Sequence, residues 1–379
     1  MIKAVLLDLD NTLLLNPDRE FAQAFMAIFE RHFQSAGFVD SSQKLRKAIQ
    51  KMSDYQAGNR SNYQTLVDTL SDGVRSDTEA ILERFYDEVF PQLKPCITPV
   101  AGAAKLIYRL REMGVAIVIA TNPIYPERAI RQRMEWAQLP NDDDFYSLIT
   151  SADNMHFAKP DPAYYAEILG RVGIEPDEAI MVGDSMRNDI LPAQQVGLQT
   201  CYIGENGLGH FSDEMNRYFG QSLALDLRPE MIEPQLRGNI GAVYGFVDTV
   251  QDHYWHQRPD PKEWSIIQIL CHLVTNEEDH QRRRLLTILQ NDNPFITQPQ
   301  APGPDIVDCA DTGLEIAEAF MRTRQETIAL VRNLSSDDWQ RPARHSIFGL
   351  TTLLEMAYFT AQHDRLHLNQ LCQTIGRCD

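Results

Sequence analysis

The sequence predicts an α/β fold with a Rossmann-like parallel sheet, followed by an all-α four-helix bundle. Short apolar segments alternate with helical patterns after about residue 95, which is typical of a parallel sheet covered on both faces. The first apolar segment runs directly into acidic residues, as a buried strand ending at a polar site would. Beyond about residue 227 the patterns are helical only, which indicates the bundle.

The predicted sheet has five strands, connected by helices. The strands cover residues 4–7, 115–120, 145–149, 179–182 and 200–203. The connecting helices cover residues 100–113, 125–136, 162–172 and 190–196. Residues from about 17 to 94 carry helical spacing alone, so they are expected to form a helical cap inserted after the first strand.

Four long helical patterns make up the carboxyl-terminal part. They cover residues 234–256, 265–290, 312–334 and 350–375. Pro229 and Pro234 mark a boundary, because proline interrupts regular structure. We therefore expect one domain at 1–230, with its core at about 1–16 and 95–230 and its cap at about 17–94, and a second domain at 234–379.

Composition excludes several classes of function. Lys and Arg number 35 against 53 Asp and Glu, so the net charge of −18 disfavours nucleic acid and anionic lipid as partners. No apolar run approaches the roughly 20 residues of a membrane span. The six cysteines are scattered without a CxxC pair, which favours reduced thiols in a cytoplasmic protein. The sequence also leaves open whether the protein forms a homodimer.

Carboxylates follow the first strand and recur after later ones. Asp8 and Asp10 point to the same side of an extended segment, since side chains alternate along it. Thr121 and Asp184 follow later strands, and the carboxyl ends of parallel strands share one edge of the sheet. Together with Lys159 from a nearby loop, these groups describe a phosphoryl-transfer site. Taken alone, the first pair is also compatible with an acidic turn.

The motifs DLDNT (8–12), TN (121–122), KPDP (159–162) and GDSMRND (183–189) occur in this order. The amino-terminal part thereby resembles the haloacid dehalogenase (HAD) superfamily of hydrolases with a C1-type cap. The resemblance implies that Asp8 is a nucleophile that becomes phosphorylated and that Asp10 is the general acid and base. It also implies that Thr121 and Lys159 bind the phosphoryl oxygens and that Asn122 contacts substrate.

The same resemblance implies a Mg²⁺ site. Asp8, Asp184 and the backbone carbonyl of Asp10 are its expected ligands, and Asp189 is expected in the outer shell. Relatives that cleave carbon–halogen or carbon–phosphorus bonds usually lack the second acidic residue of the first motif. Asp10 therefore favours phosphate monoester hydrolysis, although a phosphomutase stays open.

The helical cap predicts a small phosphorylated metabolite as substrate, because such caps close over small molecules and exclude water. The candidates for substrate contact in the cap are Arg19, Asn59, Arg60 and Tyr63. For each of them a solvated surface position is the alternative.

Histidines suggest a second site in the bundle. His363 and His367 are four residues apart, so they lie one above the other on a helix. The stretch WSIIQILCHLVTNEEDH (264–280) and the stretch HDRLHLNQL (363–371) resemble the DinB/YfiT-like four-helix bundles. The resemblance implies that His272, His363 and His367 bind a metal, for which Zn²⁺, Ni²⁺ or Fe²⁺ is suitable.

Two alternatives to the phosphatase remain at this stage. The bundle could carry the main chemistry as a metal-dependent thiol transferase. The chain could instead be a regulatory binding protein in which the HAD part senses a phosphorylated ligand. The intact pair of Asp8 and Asp10 favours the enzyme, since binding alone does not need Asp10.

Overall fold

The computed structural model describes residues 1–71, 75–220, 225–299 and 312–378. The strands of its amino-terminal part are β1 (Ala4–Leu7), β2 (Leu14–Leu15), β3 (Thr98–Pro99), β4 (Ala116–Ile119), β5 (Leu148–Ile149), β6 (Ala179–Gly183) and β7 (Gln199–Tyr202). The helices of this part are α1 (Asp18–Ser35), α2 (Ser41–Asp54), α3 (Asn62–Leu70), α4 (Arg75–Arg84), α5 (Ala103–Glu112), α6 (Glu127–Trp136), α7 (Pro162–Val172), α8 (Leu191–Gln195) and α9 (Gly207–Gly220).

Five parallel strands form the central sheet in the order β5-β4-β1-β6-β7, which confirms the predicted fold class. Leu7, the last residue of β1, lies opposite Ile119 of β4 and Val182 of β6. All four side chains of β1 are buried, because helices cover both faces of the sheet. The residue that follows β1 therefore emerges at the centre of the sheet's carboxyl edge.

The helical cap leaves and re-enters the core through two short strands that pair side by side. Leu14 of β2 lies opposite Pro99 of β3 in an antiparallel pair. Between them lie α1 to α4, a π-helical turn at Phe85–Val89 and a 3-10 segment at Phe90–Cys96. Aromatic rings fill the cap interior, with the Phe29 and Phe33 centroids 4.3 Å apart.

The carboxyl-terminal part is mostly helical, as predicted. Its elements are α10 (Ile232–Thr249), α11 (Ile266–Asn276), α12 (Arg282–Gln290), β8 (Phe295–Ile296), α13 (Gly313–Arg332), α14 (Ser336–Trp339), β9 (Pro342–His345), β10 (Gly349–Thr352) and α15 (Leu353–Cys378). A π-helical turn at Glu277–Gln281 joins α11 and α12 into one long helix. The side chains of Ser265 and Gln268 form a capping box at its start.

One expectation for this part was wrong. It is not purely helical, because β8, β9 and β10 form a three-stranded sheet in the order β10-β9-β8. Strands of two to four residues are too short to show the alternation that identifies a strand in a sequence.

The expectation that all cysteines are reduced thiols was also wrong. Cys271 is disulfide-bonded, whereas Cys96, Cys201, Cys372 and Cys378 are free. Among the described helices, none is both long and apolar enough to cross a membrane.

Candidate active site

The carboxyl ends of three strands bring polar side chains to one cavity of about 480 Å³. Asp8 follows β1, Asp184 follows β6, and Asn122 lies shortly after β4. The backbone N–H of Asp8 donates to the carbonyl of Val182 at 2.9 Å, so β6 still holds the chain at this point. The sheet topology thus brings together residues that are more than 170 positions apart in the sequence.

Lys159 lies at the floor of this cavity between two carboxylates. Its Nζ is 2.7 Å from Asp8 Oδ1 and 2.6 Å from Asp189 Oδ1. Burial alone would lower the pKa of Lys159, but Asp189 and Asp8 raise it well above its ordinary value. The ammonium group therefore stays charged and can attract the oxygens of a phosphoryl group.

Asp8 is buried and accepts a hydrogen bond from the Thr12 hydroxyl at 3.3 Å. Burial raises the pKa of Asp8 to about 8, because desolvation outweighs the attraction of Lys159, and the nearby Asp189 and Asp10 add to the increase. A further cation near Asp8 would oppose this effect and favour the ionised carboxylate, which is the nucleophilic form.

Carboxylate oxygens of Asp8, Asp184 and Asp189 lie within 4.8 Å of one another. We call these three residues, with Lys159, the carboxylate site. Hard oxygen donors at this separation fit Mg²⁺. Asp189 also pairs with Lys159 through Oδ1 and accepts from the Ser185 backbone N–H through Oδ2 at 3.0 Å, so both of its oxygens have partners within the protein. Its outer-shell role stays a prediction.

Asp10 has partners that the sequence analysis missed. Arg133 Nη2 and Asn16 Nδ2 both donate to its Oδ1, the latter at 2.6 Å. Arg133 comes from α6 and is 1% exposed, with its guanidinium carbon 5.2 Å from the Phe21 ring centroid and 5.6 Å from that of Tyr125. Arg133 is unusual because arginines are seldom fully buried, and the sequence does not show which arginines are buried.

The two residues of the second motif, Thr121 and Asn122, have different surroundings. Thr121 is buried, and its carbonyl accepts hydrogen bonds from Thr150 Oγ1 and the Tyr164 hydroxyl, both at 2.8 Å. Asn122 lines the cavity, and its Oδ1 is buried without a hydrogen-bond partner among the described residues. A buried oxygen without a partner is suited to accept a hydrogen bond from a bound molecule.

The cap contributes Phe21 and Ala22 of α1 to this cavity. None of the four cap residues considered in the sequence analysis lines it. Arg60 pairs with Asp68 within the cap, and Asn59 accepts a hydrogen bond from the Tyr55 hydroxyl. The cavity wall is therefore apolar on the cap side.

The structure also brings together the three histidines of the bundle, which we call the histidine site. Ring nitrogens of His272, His363 and His367 lie within 4.8 Å of one another. The His367 ring centroid is 4.6 Å from each of the other two. A cavity of about 470 Å³ opens beside them, and Trp264 also lines it, with its ring 4.7 Å from that of His272.

Burial favours the neutral form of all three histidines, which is the form that binds metals. Burial lowers the pKa of His272 to about 4, with a contribution from His367, and lowers the pKa of His363 still further. His367 Nδ1 lies 2.9 Å from Gln370 Oε1. When Nδ1 donates to that oxygen, Nε2 is left as the ligand atom, so Gln370 is an orienting residue that the sequence analysis missed.

Each of the two parts of the chain is similar to a known protein family. Residues 2–197 match the haloacid dehalogenase-like hydrolase family, and residues 235–371 match the DinB superfamily. The glyceraldehyde 3-phosphate phosphatase of Methanopyrus kandleri is 28% identical over 210 residues, covering 54% of this chain and 84% of the relative. The phosphoglycolate phosphatase 1 of Pseudomonas aeruginosa is 31% identical over 140 residues, covering 37% of this chain and 48% of the relative.

Among solved structures, YfiT from Bacillus subtilis, a four-helix bundle of unusual topology, is 15% identical. The match covers 42% of this chain and 91% of that chain, with a TM-score of 0.35. The two family matches confirm the resemblances on which the motif and histidine predictions rest. With its first family match spanning more than half of its length, the chain belongs to the haloacid dehalogenase-like hydrolase family.

Proposed function

We propose that this protein is a Mg²⁺-dependent phosphatase that hydrolyses a small phosphorylated metabolite through an aspartyl-phosphate intermediate. The observation that carries the proposal is the buried Lys159 between Asp8 and Asp189, because an ammonium beside a nucleophilic carboxylate is suited to a phosphoryl group. The named phosphatases among the relatives support this class of reaction.

In the first step, an oxygen of Asp8 attacks phosphorus and the bond from phosphorus to the leaving oxygen breaks. The leaving oxygen takes a proton from Asp10. In the second step, water attacks the phosphorus of the phosphoaspartate, and Asp10 takes up a proton from the water. Phosphate is released, and Asp8 becomes a free carboxylate again. Throughout, Lys159 offsets the charge on the phosphoryl oxygens, and Thr121 and Asn122 are proposed to bind them.

Mg²⁺ held by Asp8, Asp184 and the Asp10 carbonyl would supply positive charge that stabilises the transferred phosphoryl group. Two observations favour a cation at this position. Three carboxylate oxygens are clustered there, and the raised pKa of Asp8 would be lowered by a neighbouring positive charge. In the bundle, the histidine site would hold a transition metal in an accessory role. Cytoplasmic location and dimerisation stay predictions from the sequence.

The cavity volume and the relatives together suggest the size of the substrate. A cavity of about 480 Å³ suits a metabolite of a few carbons and is too small for a folded macromolecule. The named relatives act on glyceraldehyde 3-phosphate and on phosphoglycolate. We therefore propose two- and three-carbon phosphate esters as the first substrates to test.

The test is phosphate release from a generic aryl phosphate and from these two esters by the full-length protein, with Mg²⁺ and with a chelator. We expect turnover that depends on Mg²⁺. Reduction of the phosphorylated intermediate with tritiated borohydride should release phosphate and leave a labelled homoserine in place of Asp8, which peptide mapping locates. Absence of turnover across a broad panel of phosphate esters would contradict the proposal. Turnover with the label on another residue would contradict the assigned nucleophile.

A further inference from the structure

The loop that carries Lys159 is held at its carboxyl end by a residue of the helical bundle. We call residues 156–161 the motif loop. Asp161 ends this loop and caps α7 by accepting from the Ala163 backbone N–H at 2.9 Å. Arg237 of α10 grips the same carboxylate with two nitrogens, Nη1 at 3.2 Å from Oδ1 and Nη2 at 2.5 Å from Oδ2. A two-point contact of this kind fixes orientation as well as distance.

The other end of the motif loop also contacts α10. His156 Nδ1 lies 2.8 Å from Glu167 Oε1, and its Nε2 lies 3.3 Å from Oδ2 of Asp248 in α10. Glu167 of α7 additionally accepts the backbone N–H groups of His156 and Phe157 at 3.1 Å. Both ends of the six-residue segment around Lys159 are therefore tied to the bundle, directly or through α7.

The helices α10 and α7 approach each other too closely for a side chain on Gly238 or Gly241 of α10. A Cβ added to Gly238 would lie 2.4 Å from the Ala166 Cβ and 2.6 Å from the backbone nitrogen of Glu167. A Cβ on Gly241 would lie 2.8 Å from Glu167 Cδ. Backbone contact at this range leaves α10 little freedom to shift, so Arg237 has a defined position relative to the motif loop.

Arg237 also contacts the cap. Its Nε donates to the Gln56 carbonyl at 3.2 Å, and Gln56 Nε2 donates to Asp161 Oδ2 at 3.3 Å. The Arg237 and Asp161 side chains are 7% and 8% exposed, and the guanidinium carbon lies 4.9 Å from the Phe157 ring centroid. One side chain thus joins the bundle, the motif loop and the cap.

We propose that Arg237 is a positioning residue for Lys159, so that the bundle holds the catalytic lysine in the place from which it reaches Asp8 and Asp189. Only Pro160 separates Lys159 from the carboxylate that Arg237 grips. A displacement of about 1 Å in a catalytic group can cost on the order of a hundredfold in rate. This inference rests on the proposed function and gives the fusion of the two parts a physical role.

The test compares Arg237→Gln and Arg237→Lys with Arg365→Gln in the full-length protein. Arg365 of α15 is also a buried bundle arginine, and it pairs at 2.7 Å with Glu175 of the amino-terminal part, outside the motif loop. We expect Arg237→Gln to lower kcat about 10- to 100-fold with a smaller change in KM, and Arg237→Lys to fall between it and wild type. Arg365→Gln is expected to stay within about twofold in kcat even where it lowers Tm.

Hydrogen exchange of the motif-loop amides gives a readout that needs no turnover. We expect faster exchange in Arg237→Gln than in wild type or Arg365→Gln. Asp161→Asn retains the oxygen that caps α7 and serves as the second variant if Arg237→Gln does not fold. Its combination with Arg237→Lys is expected to lose no more activity than the worse single variant, as for two partners of one contact.

Equal losses of kcat in Arg237→Gln and Arg365→Gln would overturn the proposal, because they would indicate general loss of docking. Unchanged kcat together with unchanged exchange in the folded Arg237 variants would also overturn it. If the wild type hydrolyses no ester, the proposed phosphatase fails, whereas the exchange rates still decide whether Arg237 holds the motif loop.

Discussion

The carboxylate site and the histidine site differ in how their buried charges are balanced. In the carboxylate site, acidic groups accumulate and the buried ammonium of Lys159 offsets part of their charge. In the histidine site, burial lowers the pKa of each ring and so favours the neutral imidazoles. The first arrangement suits a hard, oxygen-binding cation, and the second suits a transition metal. The two sites therefore differ in the charge of their candidate ligand groups.

The largest expected effect comes from removing the nucleophile. Asp8→Asn retains the size of the side chain but cannot form the phosphoaspartate, so phosphatase activity should fall by at least on the order of 10³-fold. The transition metal content of the same preparation, measured by mass spectrometry, should stay at the wild-type level. Loss of both in a folded variant would mean that the two sites are not independent.

The reciprocal variant is His363→Ala. Two imidazoles remain, and we expect the bundle's affinity for Zn²⁺ or Ni²⁺ to fall by on the order of a hundredfold or more, since changes in orienting residues alone cost 10- to 100-fold. Hydrolysis at saturating Mg²⁺ should stay near the wild-type rate. The matched control is His280→Ala, which lines the same cavity but is not part of the three-histidine group.

The sequence predicted the central residues of the two sites better than the residues that contact them. Asp8 and Asp184 were predictable because each directly follows an apolar strand, and Lys159 because it lies in a distinctive motif. The partners that tune these groups were not predictable. Arg133 reaches Asp10 across the cavity, and Gln370 is one of several polar residues on α15. Their roles depend on burial and on tertiary packing, which local patterns do not encode.

The same limit applies to the fold. Strand and helix alternation predicted the parallel sheet, and long periodic segments predicted the four helices. The sheet formed by β8, β9 and β10 was missed because its strands are so short. The docking of α10 on α7 was missed because glycines such as Gly238 show their purpose only when the opposing helix is in place.

The pH dependence of metal affinity should sharpen the comparison. Mg²⁺ needs Asp8 ionised, and the pKa of that carboxyl in the metal-free protein is raised to about 8. Binding must then release a proton below this pH, so the apparent Mg²⁺ affinity should fall about tenfold per pH unit from 8 down to 6. His272 is already neutral in this range, and burial lowers the pKa of His363 and His367 as well, so the bundle's metal affinity should change less with pH than the affinity for Mg²⁺. Calorimetry in buffers of different ionisation enthalpy counts the released protons.

The opposite pattern of pH dependence would contradict this difference in charge between the two sites. A Mg²⁺ affinity that is flat between pH 6 and 8 would mean that Asp8 is ionised without the metal. A bundle affinity that falls steeply as pH drops toward 6 would mean that the histidines titrate there. Either result can be obtained from the same preparation, because the two sites are expected to select different ions.

The smallest expected effect concerns the junction between the two regions. Burial would lower the pKa of His156, but Glu167 and Asp248 raise it above 6.5. The charged ring therefore stabilises the fold fully below pH 6.5, and this stabilisation is lost as pH rises through the raised pKa. Relative to wild type, His156→Gln should therefore lower the free energy of unfolding more at pH 6 than at pH 9. Urea unfolding at both pH values measures this difference, with His210→Gln in α9 as control. A deficit that is the same at both pH values would mean that His156 joins the regions as a neutral ring, and the contact with Asp248 would then be a hydrogen bond without net charge attraction.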